Sequence, residues 1–193
     1  MDILYEDAHI LVVNKPAMLS TQAPPIAGAT LEAAVRAHLN PADPASAYVG
    51  TVHRLDRPVS GVVLWAKTPK AARRLSRQFA ARRAGKEYWA IVEGRPATAQ
   101  GVWEDWLFHD KTGLGRVQIV APGTPRGQPA RTRFRREPAA SLPEGLSWLI
   151  LSPETGRTHQ LRVQAAARGL PILGDRMARR ASSPKGSRCT RGP

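Results

Sequence analysis

The sequence predicts an α+β domain with a mixed, largely antiparallel sheet and flanking helices. Three observations carry this expectation. Short β-like runs divided by Pro, Gly and Asp turns dominate the middle of the chain, helical patterns fall between them irregularly, and no internal repeat is present. A chain of 193 residues with 42% hydrophobic content is long enough to bury a sizeable core.

The opening ILYEDAHILVVNKP reads as two short strands joined by a turn at EDAH and stopped by Pro16. TLEAAVRAHL then puts Leu31, Ala34, Val35 and Leu39 on one helical face, with Thr30 as N-cap. VVLWAKT is apolar and β-branched, the pattern of a buried strand. A second helix follows, capped by Thr68, with Pro69 in its first position, Ala72, Leu75 and Phe79 at helical spacing, and Gly85 as the expected stop. Its other face carries Arg73, Arg74, Arg77, Arg82 and Arg83.

KEYWAIVEG alternates as a strand up to its glycine. Trp103 to Phe108, Gly115 to Ala121, Ala130 to Arg135 and Leu146 to Leu151 are further strand candidates between turn-rich segments. A last helix is expected over about Thr158 to Arg168, stopped by Gly169 and Pro171. With no long low-complexity linker, one domain over residues 1–176 is the economical organisation, followed by a basic tail over 177–193.

Charge narrows the partners. Lys and Arg number 29 against 15 Asp and Glu, a formal net charge of +14 and a pI near 11.3, which points to a polyanion. Nucleic acid is favoured over a membrane surface, because no basic amphipathic helix with an aromatic face and no lipidation signal stands out. No apolar run of ~18 residues occurs and the start lacks a secretory pattern, so a cytoplasmic protein is expected. The single Cys189 excludes an internal disulfide and a cysteine-based metal cluster within one chain. The phosphate-loop, dinucleotide, zinc-protease, CxxC and GxSxG motifs are all missing, so nucleotide hydrolysis, hydride transfer and metalloprotease chemistry have no support.

Three segments combine special backbone residues with titratable ones. In HRLDRPVSG, Asp56 lies between Arg54 and Arg57, whose guanidiniums favour its ionised form; it reads either as a nucleophile or as a turn acid satisfied by a salt bridge. In KEYWAIVEG, Tyr88 and Trp89 alternate, so one ring faces a core and the other faces away. In ETGRTHQLRVQ a tight turn leads into a helix bearing Thr158, His159, Gln160 and Arg162. Arg157 and Arg162 there suggest anion capture, and His159 reads as a general base or, in preference, as a hydrogen-bonded cap.

Taken together, these segments resemble the RluA-type RNA pseudouridine synthases of the RsuA/RluA superfamily. HRLDRPVSG is similar to the family's HRLDxxTSG, KEYWAIVEG to its K-x-Y-x-A-x-V-x-G strand, and TGRTHQLRVQAAARGLPILGD to its TGRxHQ[IL]RvHxxxxGxPIxGD segment; ILYEDAHILVVNKPAMLS matches the usual opening. The resemblance runs from about Ile3 to Asp175 and implies a pseudouridine synthase fold with a central RNA cleft. It implies that Asp56 is the catalytic aspartate and that Tyr88 stacks on the target base and takes part in proton transfer. It makes Arg162 the arginine that pairs with the aspartate, and Arg54 the side chain that fills the space left by the flipped base, a flip that costs a few kcal/mol of unstacking. Arg157, His159 and Gln160 are expected to bind RNA; Arg57 receives no role.

The implied reaction is an isomerisation of uridine in ribosomal or transfer RNA by a monomer with no cofactor and no metal. The basic helix over Ala71 to Arg83 and the Lys111 to Arg136 region are expected to contact phosphates, with a solvated surface charge as the alternative for each arginine. The alternative is a non-catalytic RNA-binding or folding-assistance protein, or an inactive remnant. Val59 stands where the family usually has Thr, and Gln164 where it commonly has His.

After Asp175 the family continues into a strand similar to IALHA, whereas this chain reads RMARRASSPKGSRCTRGP. Met177 to Pro193 admit a codon choice that, read one base out of register, gives YGAAGFEPEGIALHARA. The tail is therefore expected to be a frameshift product or truncation, without apolar periodicity and disordered, and part of the net charge to follow from the shift. The nucleotide sequence beyond codon Asp175 tests this: third bases that do not yield IALHA end the idea.

Overall fold

The computed structural model describes residues 1–22, 28–110, 116–139 and 141–175. The expected tail over 177–193 lies outside the described residues, as do Lys111 and Gly115. The chain divides into two compact units, Met1–Ala84 and Gly85 onward.

In the N-terminal unit β1 (Asp2–Glu6) and β2 (Ile10–Lys15) form the expected hairpin. Asp7 makes the turn by accepting hydrogen bonds from the amides of His9 and Ile10, both at 2.7 Å. α1 (Leu31–Leu39) begins where Thr30 Oγ1 accepts from the Ala33 amide at 3.1 Å. β3 (Gly50–Thr51) and β4 (Gly61–Ala66) complete a sheet of order β1-β2-β4-β3. Leu11, Val13, Val63 and Trp65 from this sheet bury against Leu31 and Val35 of α1.

α2 (Pro69–Ala80) starts as predicted, with Thr68 Oγ1 accepting from the Ala71 amide at 3.1 Å. It ends well before Gly85, which corrects the sequence expectation. Arg82 takes the left-handed conformation (φ 55°), and the Arg83 amide donates back to Gln78 O at 2.9 Å, a closure that usually uses glycine. The helix seats closely on β3, because a Cβ at Gly50 would stand 2.8 Å from Ala72 Cβ.

The C-terminal unit holds β5 (Tyr88–Glu93), β6 (Gln100–His109), β7 (Val117–Val120), β8 (Gln128–Glu137) and β9 (Leu146–Pro153), in the order β5-β9-β8-β6-β7. All ladders between the described strands in both units are antiparallel, so the expected mixed character is not found there; one isolated parallel bridge joins Ser20 and Thr30. The core is Ala90, Val92, Trp103, Phe134, Leu149 and Leu151, closed by Ala165 and Leu170. α3 (Gln160–Ala167) starts later than predicted because His159 is left-handed, with φ 52° and ψ 23°. Beyond Gly169 the chain turns back along the free edge of β5. There the Glu93 amide donates to Pro171 O at 2.9 Å, and the Leu173 amide donates to Ile91 O at 2.8 Å.

Candidate active site

Asp56 is half-buried in the loop between β3 and β4. Side chains from elsewhere in the N-terminal unit clamp that loop. Thr21 Oγ1 donates to Leu55 O at 2.8 Å and accepts from the Leu55 amide at 3.2 Å, gripping the residue next to the aspartate. The Lys15 ammonium donates to Leu19 O at 2.7 Å, Pro16 O at 3.0 Å and Arg57 O at 3.2 Å, so one buried cation joins the turn after β2 to the aspartate loop. Burial lowers the pKa of Lys15, and the nearby Asp56 carboxylate opposes that shift.

Arg57, left without a role by the sequence, donates through Nε to Met18 O at 3.1 Å and tightens the same clasp. His53 Nε2 accepts from the Leu64 amide at 2.9 Å, which fixes that nitrogen as unprotonated, and its ring stacks on Phe79 of α2 at 5.0 Å. The Val59 amide closes the turn on Asp56 O at 3.0 Å through its backbone, so the valine replacing the usual threonine leaves the turn intact. Gly61 ends the loop at φ 132°, a conformation that favours glycine. Arg54 is exposed on this loop.

Tyr88, Arg157, His159, Gln160 and Arg162 belong to the C-terminal unit. Tyr88 opens β5 and packs against the core, while Trp89 is 67% exposed on the opposite face, the alternation its strand predicts. Arg162 projects from α3 and forms a two-point fork with Asp175: Nε donates to Oδ2 at 2.6 Å and Nη2 to Oδ1 at 2.7 Å. The side chains are 16% and 6% exposed, so this is a sheltered, charge-assisted contact. The run along β5 brings Asp175 there.

Gln160 is buried, and its amide is spent inside the unit. Oε1 accepts from Thr155 Oγ1 at 2.7 Å and the Arg157 amide at 3.1 Å, while Nε2 donates to Thr132 Oγ1 at 2.9 Å and Arg131 O at 3.1 Å. Its observed contacts therefore hold the start of α3 rather than present a polar group to a ligand. One turn on, Gln164 is 0% exposed, donates to Asp105 Oδ2 at 2.7 Å and accepts from Thr132 Oγ1 at 2.7 Å. Arg168 completes the stripe by donating to the same Asp105 oxygen at 2.9 Å. These three side chains set the register of α3, and with it the position of Arg162. Arg157 Nε donates to Pro129 O at 3.1 Å.

The contributions of Lys15, Thr21, Asp105 and Asp175 go beyond the sequence reading. Two signals for them were present. Leu11, Val13 and Lys15 share one face of β2 by strand alternation, which puts a lysine on the core side. Gln160, Gln164 and Arg168 recur at four-residue spacing, a polar stripe where a core face would be apolar. Among the described residues, no group of three or more His, Cys, Asp or Glu side chains is placed to hold a metal, and no helix is long and apolar enough to cross a membrane.

A clamped aspartate loop, a core-packed tyrosine at a strand start and an arginine fixed on a short helix coincide with a family match. Residues 9–167 match the RNA pseudouridylate synthase family, and the chain belongs to that family. It is 38% identical over 174 residues to the dual-specificity RNA pseudouridine synthase RluA of Salmonella typhimurium, covering 90% of this chain and 75% of that protein. It is 37% identical to the Escherichia coli K12 protein of the same name, with the same coverage. Among solved structures, human RNA pseudouridylate synthase domain containing 1 superposes with a TM-score of 0.72 at 26% identity, over 94% of this chain and 73% of that one. The fold is that of the pseudouridine synthases.

Proposed function

We propose that this chain converts uridine to pseudouridine in structured ribosomal or transfer RNA, with Asp56 as the catalytic carboxylate. The isomerisation exchanges the N1–C1′ bond of the nucleoside for a C5–C1′ bond, with loss of the C5 proton and gain of one at N1. The observation that carries the reading is the loop itself: Thr21 and Lys15 bond the backbone of HRLDRPVSG at Leu55 and Arg57, and the His53 side chain ties the start of that segment to the Leu64 amide of β4, the preorganisation a reacting carboxylate needs. In this reading Tyr88 supplies the ring that stacks on the target base, Arg162 the guanidinium that pairs with the aspartate, and Arg54 the side chain that replaces the flipped base in the stack. Arg157 and His159 contribute to RNA binding. The enzyme acts as a cytoplasmic monomer.

Incubating the purified chain with ribosomal and transfer RNA, then detecting pseudouridine by carbodiimide labelling, tests the proposal. Asp56→Ala is expected to abolish the product while RNA binding is retained. Equal product from that variant would overturn the assignment, and RNA binding without product from the wild type would favour the non-catalytic alternative.

A further inference from the structure

We propose that the exposed face of α2 is a phosphate-tracking ridge that takes the RNA backbone beside the target nucleotide. This rests on the proposed RNA substrate and adds the element that grips it. Lys70, Arg73, Arg74 and Arg77 lie on α2 at spacings of three and four residues, and Arg82 and Arg83 extend the row past its end; all six are exposed.

A merely solvated face explains this poorly, for four reasons. From Arg57 to Lys86 the chain contains no acid. Lys70–Arg73, Lys70–Arg74, Arg73–Arg77 and Arg74–Arg77 are like-charge neighbours, each unfavourable to the helix. Lys70 sits in the first turn, where no acid is present and the helix dipole disfavours a cation. Arg82 occupies a left-handed position that glycine would fill without strain.

Several other arginines of the same protein are neutralised by acids. On β8, Arg131 pairs with Glu104 and Glu154, Arg133 with Glu154, and Arg135 with Glu137. Arg36 pairs with Glu32, and Arg168 with Asp105. No ion pair to any of the six ridge cations occurs among the described residues, so the ridge holds a row of unneutralised charge against the interests of its own helix. A polyanion supplies what is missing, and Lys70 to Arg77 spans roughly 10 Å of helix axis, enough to meet more than one phosphate. Phe79, on the buried side of α2, stacks on His53 three residues before Asp56, which ties the ridge to the proposed catalytic loop.

The test measures affinity for a synthetic RNA hairpin with a uridine-rich loop as a function of salt. Substituting Arg73→Gln, Arg74→Gln and Arg77→Gln together should lower the slope of log affinity against log salt by about 2, so that a fourfold rise in salt weakens the wild type about sixteenfold more than the variant. The corresponding triple lysine substitution keeps the wild-type slope, and Arg36→Gln on α1, whose guanidinium is paired with Glu32, leaves it unchanged. If the glutamine variant does not fold, Arg82→Gly serves: a higher melting temperature together with weaker, less salt-dependent RNA binding supports the ridge. An unchanged slope in the glutamine variant, an equal loss from the Arg36 variant, or a defect seen only on phosphatidylserine vesicles overturns it. A wild type that binds the hairpin with this salt dependence but forms no pseudouridine leaves the ridge standing and removes the catalytic reading.

Discussion

Replacing Lys15 by Met tests how the aspartate loop is held. The side chain is fully buried, and its ammonium makes three hydrogen bonds to carbonyls, at 2.7, 3.0 and 3.2 Å. Methionine keeps the apolar stem and removes the charge. Three bonds from a charged donor, at about 1.5–3 kcal/mol each, give a gross loss of about 4–9 kcal/mol. Relieving the buried ammonium of its desolvation returns several kcal/mol. The net expectation is a destabilisation of about 3 kcal/mol, read from urea unfolding, with loss of pseudouridine formation because the Arg57 carbonyl is released from the turn after β2. The pH dependence supplies an independent check. Burial lowers the folded pKa of Lys15 below the unfolded value of about 10.4. Between those values the unfolded chain holds more protons, so the wild type gains stability relative to the variant as pH rises through that window. A variant within 1 kcal/mol of wild type and fully active would refute the clamp.

Three further outcomes follow from single contacts. Trp65 is fully buried, and its indole N–H has no hydrogen-bond partner among the described residues; Trp65→Phe should change stability by no more than about 1 kcal/mol, because removing an orphan donor offsets the smaller ring, and calorimetry checks this. Hydrogen bonds from the His9 and Ile10 amides lower the pKa of Asp7; the stability they contribute is present above the unfolded aspartate pKa and lost as pH falls through the folded one, so Asp7→Asn should flatten the acid side of the pH-stability curve below about pH 4. Gln164→Leu leaves Thr132 and Asp105 short of partners and should cost about 3 kcal/mol in urea unfolding, whereas Gln164→His keeps a donor for Asp105 and should cost less.

Much of the secondary structure was legible because local chemistry decides it. Thr30 and Thr68 cap their helices as their positions predict, and the first hairpin follows from two apolar runs around an Asp turn. Gly85 misled because glycine is only the least strained way to end a helix, and Arg82 takes the left-handed site earlier. The short turns between strands pointed to a largely antiparallel sheet, as the ladders between the described strands are, but they gave no local sign of the strand order β5-β9-β8-β6-β7. At the site, the motifs named Asp56, Tyr88 and Arg162, yet their supports come from distant positions. Thr21 reaches Leu55 across 34 residues, and Asp175 meets Arg162 only because the chain returns along β5. Such meetings follow from the path of the fold and leave little trace in local sequence.

That return along β5 does more than deliver Asp175. β5 ends one side of its sheet, and an uncovered edge is a template on which another chain can add a strand. Pro171 and Leu173 occupy the backbone groups of Glu93 and Ile91 there, and Pro171 has no amide with which to recruit a further partner. A lesion that peels this segment away would loosen the guanidinium of Arg162 and open an adhesive edge in the same event. Loss of activity and aggregation would then be one phenotype with one cause.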